Sequence, residues 1–579
     1  MNNAVHLCFI TLFSFSILLL NAQNNKDLIA PPQYLGEPVA SAGTTLVKAK
    51  DGRLIFIYRN GDWDHGGFST EVYYRQSEDE GKTWSEEKLL VDTPGKVAQS
   101  FATISPVTGE VIVFYINREQ GIYCARSQKD WTEWSFQKME TEDKAPINTI
   151  GYGNSLWVKK GESMRVICGF HVNDQTGAGA FYSDDDGITW KSSKRSLVPN
   201  SIPNIWQTGA VEPSFAELSN GDILMFLRNS NFNIWKSISK DKGASWSKPI
   251  KTDLYCGDNS WISLKGLKNG DLLLVWNNAK ALRPEVTNDQ WNFTNREVLH
   301  MAISKDDGNT WQGFRELMLD RLRDSLFVNH PGDKGLNESK VVETPEGNIL
   351  VACGQAPGHR SFVLVNPDWI TEPERFDTFK NGIEQWSRQK IIKRPAIYKR
   401  HYHYNYDRKP GAVLVEHPDK PEQQVLHLRR LADTTVYSQR DGAVWNFTAG
   451  HTGSFKTRIR LNEGFKGASI VLNDRWFQPI DNQGIETAMY VLEIPSSGRI
   501  SSEVVLEKDQ WYDLNLVWSG TDDFESDTCL IYINDELTST NLMLNNKSAH
   551  GISYARFRSG TRVEDTKGMY IEMVHAKVN

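Results

Sequence analysis

Disulfide chemistry and metal ligation are both poorly supplied in this chain. It has 6 cysteines among 579 residues. Cys8 lies inside an N-terminal apolar run. Cys124, Cys168, Cys256, Cys353 and Cys529 are scattered, with no CxxC pair and no histidine at ligand spacing. That pattern builds neither a disulfide framework nor a zinc centre, and no metal or other cofactor is expected. Positive charge is scarce as well: 65 Lys and Arg stand against 72 Asp and Glu, a net charge of −7. A nucleic-acid partner held by phosphate neutralisation is therefore excluded. Beyond the first 22 residues no long hydrophobic run occurs, which excludes a multi-span membrane protein.

What the chain does have is 39% hydrophobic residues, 19 Trp and 43 Gly. This is a globular composition that suits many short strands joined by tight turns. Residues 1–22 carry an apolar stretch from Leu7 to Leu20, too short to span a bilayer comfortably, followed by Ala22 and a polar segment. They read as a cleaved secretory signal. The protein is expected to be exported, periplasmic or extracellular, with no membrane span in the mature chain, and to be a monomer.

The strongest signal is an internal repeat. The octapeptide Ser-x-Asp-x-Gly-x-Thr/Ser-Trp occurs at Ser77–Trp84, Ser183–Trp190, Ser239–Trp246 and Ser304–Trp311, with a degenerate copy at Ser127–Trp134. Each intact copy follows a strand-like apolar run. An Asp that bonds local amides and a Gly with positive φ make a hairpin turn. The Trp is expected to pin that turn to its own sheet. A second register of turns falls at Gly52, Gly109, Gly161, Gly221, Gly270 and Gly347, the last delayed by an insertion at about 312–335. Six antiparallel units of this size read as a six-bladed β-propeller over residues 30–370.

The octapeptides resemble the Asp-boxes of the sialidase superfamily, over roughly residues 35–368. Such boxes speak for fold more than activity, because they sit on the side away from the substrate; function has to come from the site. In a propeller the start of each innermost strand and the end of the next one face the axis. Nine residues before each turn Gly lie Gly43, Ser100, Tyr152, Glu212, Trp261 and Glu338; seven after it lie Arg59, Ile116, Cys168, Arg228, Asn277 and Gly354. These positions are expected to line the pocket.

Gly209–Ser214 through Leu224–Arg228 resembles a sialidase signature, in which a Glu activates the catalytic Tyr and an Arg sixteen residues on binds the substrate carboxylate. The resemblance places those roles on Glu212 and Arg228, and puts a second arginine of the sialidase triad at Arg296. It departs at two points: the first Arg aligns with Ala42, with Arg59 a partial replacement, and the nucleophilic Tyr aligns with Glu338. The family's acid falls on Asp62 or Asp64. Guanidinium forks suit a carboxylate through two parallel hydrogen bonds, so an acidic oligosaccharide is the expected partner.

Three readings follow for a non-reducing-end uronic or sialic acid. The first is glycoside hydrolysis in polysaccharide degradation, with Asp64 as acid and Glu338 or Glu212 as base or nucleophile. The second is β-elimination from a uronic acid, with Tyr152, His171 or His359 as base. The third is a non-catalytic lectin, against which a carboxylate buried beside arginines speaks.

From about Phe376 the repeat stops. Period-two alternation at Ser454–Leu461, Trp511–Trp518, Thr528–Asn534 and Ile552–Arg558 indicates an antiparallel β-sandwich over 375–579. That region resembles a concanavalin or laminin-G jelly roll, for which glycan binding or buttressing are the two roles. His401, Tyr402, His403 and Tyr404 in the connector are expected to cover an interdomain interface. The fold class is all-β throughout.

Overall fold

The structure, a computed structural model, describes residues 29–39, 44–59, 69–95, 97–117, 120–172, 177–198, 209–229, 232–257, 260–279, 296–323, 335–355, 357–391, 408–436, 439–520, 528–560 and 562–579. The signal segment, Ala42, Gly43, Asp62, Asp64, the side chain of Ser100 and the His401–Tyr404 stretch lie outside the described residues or side chains.

Six antiparallel sheets carry the repeat. Blade 1 runs over Thr45–Lys48, Leu54–Arg59, Glu71–Ser77 and Lys88–Asp92. Blade 2 begins at Val97–Ile104 and ends at Glu133–Met139, and blade 3 begins at Ile147–Lys160 and continues with Ser163–Val172 and Gly177–Ser183. Blade 4 runs over Val211–Glu217, Ile223–Arg228, Asn233–Ser239 and Ile250–Tyr255, and blade 5 from Ser263–Gly266 to Gln312–Leu319. Blade 6 takes Lys340–Glu343, Ile349–Cys353 and Ser361–Val365 from the end of the repeat. Its outer strand, Gln33–Gly36, comes from the beginning. The first strand of every blade lies against that of the next, and blade 6 returns to blade 1, which closes the ring.

Burial is deepest in the second strands, not in the first strands at the hub, of which Thr45–Lys48 and Ser263–Gly266 are only partly buried. The second strands, such as Leu54–Arg59 and Ile223–Arg228, are buried at every position because a neighbouring blade covers each face. Fourth strands such as Ile250–Tyr255 are largely exposed, whereas that of blade 5, Gln312–Leu319, is buried against the C-terminal sheets. The inserted segment is shorter than the sequence suggests, because Gln312–Leu319 is the fourth strand of blade 5.

The Asp-turns share one bonding scheme. Ser77 Oγ donates to Asp79 Oδ1 (2.8 Å) and accepts the Gly81 N–H (2.9 Å), and Asp79 accepts the Thr83 N–H (2.9 Å) and hydroxyl (2.7 Å). The same bonds recur around Asp185, Asp241 and Asp306. The expectation that the Trp serves its own sheet holds in part: Trp246 packs on Phe215 of its own blade (5.6 Å) and Trp84 on Phe56 of its own (6.0 Å), but the rings also reach across blades. Trp84 stacks on Phe362 of blade 6 (4.9 Å), Trp190 meets Phe114 of blade 2 (5.3 Å) and Trp311 meets Phe226 of blade 4 (5.9 Å). The fourth residue of the turn joins in. Glu80 accepts from Thr344 and Asn348 of blade 6 (2.7 and 2.9 Å), and Asp307 accepts the Ser219 N–H of blade 4 (2.8 Å). Each turn thus clips its blade to the preceding one.

From residue 374 onward an eight-stranded and a four-stranded sheet pack face to face around Trp386, Trp445, Phe455, Phe557 and Trp518. This sandwich docks on blade 5 through partly buried polar contacts. Glu316 N–H donates to Asn446 Oδ1 (2.8 Å), and Tyr554 OH donates to Glu316 Oε1 (2.8 Å). Among the described residues no helix is long and apolar enough to cross a membrane.

Candidate active site at the propeller hub

First-strand starts and second-strand ends share one face of the ring, opposite the Asp-turns. Three blades enter the hub there through a backward kink. Glu212 (φ 45°) opens blade 4, Glu338 (φ 54°) precedes blade 6, and Gly151 (φ 72°) precedes Tyr152 in blade 3. Two of these are carboxylate residues in the left-handed region, a conformation that non-glycine residues adopt at a cost and that clusters at functional sites. Register breaks at Val211/Ser214 and Ile150/Ser155 accompany the kinks and turn the side chains toward the axis. Gly153 lets blades 3 and 4 approach, because a Cβ there would meet Pro213 O at 2.1 Å.

The two carboxylates are held differently. Glu212 pairs directly with Arg228 Nη1, the side chains being 8% and 5% exposed. Its backbone N–H donates to His171 Nδ1 (3.2 Å), which leaves the imidazole proton on Nε2. Burial, and then the Arg228 charge, push His171 down to about 3, so the ring is neutral. Glu338 Oε1 accepts from Tyr152 OH (3.2 Å) and from Gln355 Nε2 (3.3 Å). Gln355 Oε1 in turn accepts from Arg296 Nη1 (2.7 Å). Burial holds the Tyr152 hydroxyl well above its usual range, and the charges of Glu338 and Glu212 add to the effect. Both carboxylates therefore bear on one protonated phenol.

Aromatic rings floor the site. Tyr152 packs on Trp261 (4.4 Å) and on the edge of Phe101 (4.7 Å). Of the positions counted nine before the turn Gly, Tyr152, Glu212, Trp261 and Glu338 converge here. The count of seven after it is less uniform. Arg228 reaches Glu212, and Arg59 is buried at the equivalent end of blade 1. Cys168 is packed between Phe114 and Phe170 in an interblade core, and Asn277 braces Val298 O (2.6 Å) and Leu336 O (3.0 Å). Residues 60–68 follow Arg59 and lie outside the described part, Asp62 and Asp64 with them. His359 pairs with Asp320 Oδ1 (2.7 Å) and anchors the segment leaving blade 5.

Sequence reading missed Gln355 and Lys340. Gln355 directly follows Gly354, already in the register. Lys340 lies two residues beyond Glu338, at the first position of the inner strand of blade 6. The sandwich reaches the rim of the site, because Glu297, next to Arg296, accepts from Gln389 (2.9 Å) and Gln478 (3.1 Å).

Residues 64–351 match the family described as BNR repeat-like domain. A sialidase of Bacteroides fragilis (strain YCH46) is 26% identical over 216 residues, 35% of this chain and 36% of that protein, so the match spans about a third of the relative's length. Among solved structures, a Streptococcus pneumoniae sialidase aligns over 59% of this chain and 71% of its own, at 14% identity and a TM-score of 0.43. A Trypanosoma rangeli sialidase in complex with 2,3-difluorosialic acid aligns over 95% and 94% of the two chains, at 12% identity and a TM-score of 0.38. With its repeated Asp-turns, its six-sheet ring and the matched domain at 64–351, the chain is a sialidase-like protein of the BNR-repeat superfamily.

Proposed function

We propose that the chain is an exo-acting glycoside hydrolase, exported from the cell, that removes a terminal uronic or sialic acid from an oligosaccharide. The observation that carries this reading is the convergence of Glu212–Arg228 and Arg296–Gln355–Glu338 on Tyr152. Arg228 and Arg296, with Arg59 from blade 1, would grip the sugar carboxylate in parallel hydrogen bonds. Tyr152 Oη would bond to the anomeric carbon as the glycosidic C–O bond breaks, passing its proton to Glu338. Asp64 would protonate the departing oxygen, and water would then release the sugar by the reverse path.

The family's nucleophile position is occupied by Glu338, yet a tyrosine–glutamate couple is present, with Tyr152 contributed by blade 3. Elimination is less favoured. His171 Nδ1 is taken by the Glu212 N–H, His359 is paired with Asp320, and a phenol held protonated is a poor base.

A panel of acidic oligosaccharides, with product masses recorded in ¹⁸O-water, tests the proposal. Release of one acidic sugar carrying a single ¹⁸O is expected. A product with a new conjugated double bond, or binding without turnover, would overturn it.

A further inference from the structure

One buried cation at the hub has no role in the chemistry above. Lys340 Nζ is buried, and among the described residues nothing accepts a hydrogen bond from it. It sits 3.5 Å above the Trp261 ring, 5.2 Å from Phe101 and 5.8 Å from Tyr152, so three aromatic faces surround the ammonium. Beneath it a channel of about 70 Å³ runs between the first strands, lined by Thr44, Asn154, Ser263 and Lys265 among others. The titratable groups that act on Lys340 are Glu338, two residues before it at the entry to its strand, and Glu212 from blade 4; Tyr152 faces it from blade 3. Blades 2 and 5 present Phe101 and Trp261, and Lys265 lies along the same channel.

An ammonium without hydrogen bonds in such a place is expensive, and an apolar residue of the same volume would be cheaper. Among the described residues its compensation is the rings and the two carboxylates. We propose that Lys340 is a positioning residue of the hub: its caged ammonium offsets Glu338 and Glu212, so that the Tyr152 hydroxyl can pass its proton to Glu338, and neutralising it removes that ability. Phenolate character on Tyr152 beside two anions is unfavourable by itself; a cation under the same ring lowers that barrier. Burial pushes Lys340 down to about 7 against the pull of the carboxylates, which puts its neutralisation near neutral pH. Activity should therefore fall on the alkaline side as this one side chain loses its proton.

The test has two arms, and only the first rests on the hydrolytic reading. In Lys340→Met, which fills the cage without charge, kcat should drop about tenfold or more with KM little changed. The alkaline limb of the pH–rate profile should vanish. In Lys340→Arg, which keeps the charge, the limb should move up by about one pH unit or more. An unchanged alkaline limb in either variant would overturn the proposal. The second arm needs no substrate. Lysine ε-carbon NMR of the wild-type protein should show one resonance that titrates near neutrality, is missing from Lys340→Met, and moves to lower pH in Glu338→Gln. If every lysine titrates in the ordinary range, the proposal fails, whatever the enzyme cleaves.

Discussion

A buried phenol that faces two carboxylates and donates to one of them holds its proton tightly but has a receiver waiting. Replacing Tyr152 by Phe removes the hydroxyl and keeps the ring stack on Trp261. Activity toward the acidic substrate should fall by about 10³-fold or more while Tm stays near the wild-type value, read by initial rates and calorimetry. Glu212→Gln breaks a buried pair instead and leaves Arg228 partly uncompensated. It should therefore cost about 3 kcal/mol of stability in denaturant titration as well as most of the activity. The contrast separates a residue used by the chemistry from one that also holds the site together.

At the scale of the turn, glycines of equal φ have unequal surroundings. Gly187 (φ +82°) faces Ile112 of the preceding blade, where an added Cβ would meet Cδ1 at 2.4 Å; Gly109 (φ +80°) faces open space. Gly109→Ala should therefore cost only the left-handed conformation, about 1 kcal/mol. Gly187→Ala adds the interblade clash and should cost about 2–3 kcal/mol, both read from urea midpoints. These turns are also where the sequence was most legible. Asp and Gly fix the hairpin through bonds a few residues apart, so the motif predicts its own geometry, and the turn-Gly register located Tyr152, Glu212, Trp261 and Glu338 at the axis. Local chemistry does not say which neighbour a Trp covers. The interblade half of Trp84's packing, on Phe362, therefore went unnoticed, as did Gln355 and Lys340, whose meaning depends on residues from other blades. Cys168 kept the register and still points into an interblade core, because a count along one strand ignores the pleat.

Across the whole molecule, the ring and the sandwich meet over a buried proton chain. Asn278 N–H donates to His300 Nδ1 (3.0 Å), so Nε2 carries the proton and faces Tyr554 OH (2.5 Å), which donates to Glu316. Burial pushes Glu316 up to about 7. Its folded value lies above the ordinary 4.5 of a glutamate, so the protonated acid contributes stability that is complete below 4.5 and is lost as pH rises through about 7. Glu316→Gln preserves the acceptor for Tyr554 and abolishes the charge. Its Tm should match the wild type at acidic pH and exceed it above neutrality, the gain being of order 3 kcal/mol. A variant that is equally stable at both ends of that range would show that the interface does not hold the proton.

Tyr152 and Glu338 come from blades 3 and 6, half a circuit apart, and their hydrogen bond is drawn across the bore. The reacting couple is thus a gauge of the ring's diameter. The seam at Gln33–Gly36, where the two ends of the repeat are sewn into one sheet, sets whether the gauge reads true. Any loosening there parts donor from acceptor while every blade is still intact, so heat or denaturant should abolish the proposed activity before the β-sheet signal begins to fade.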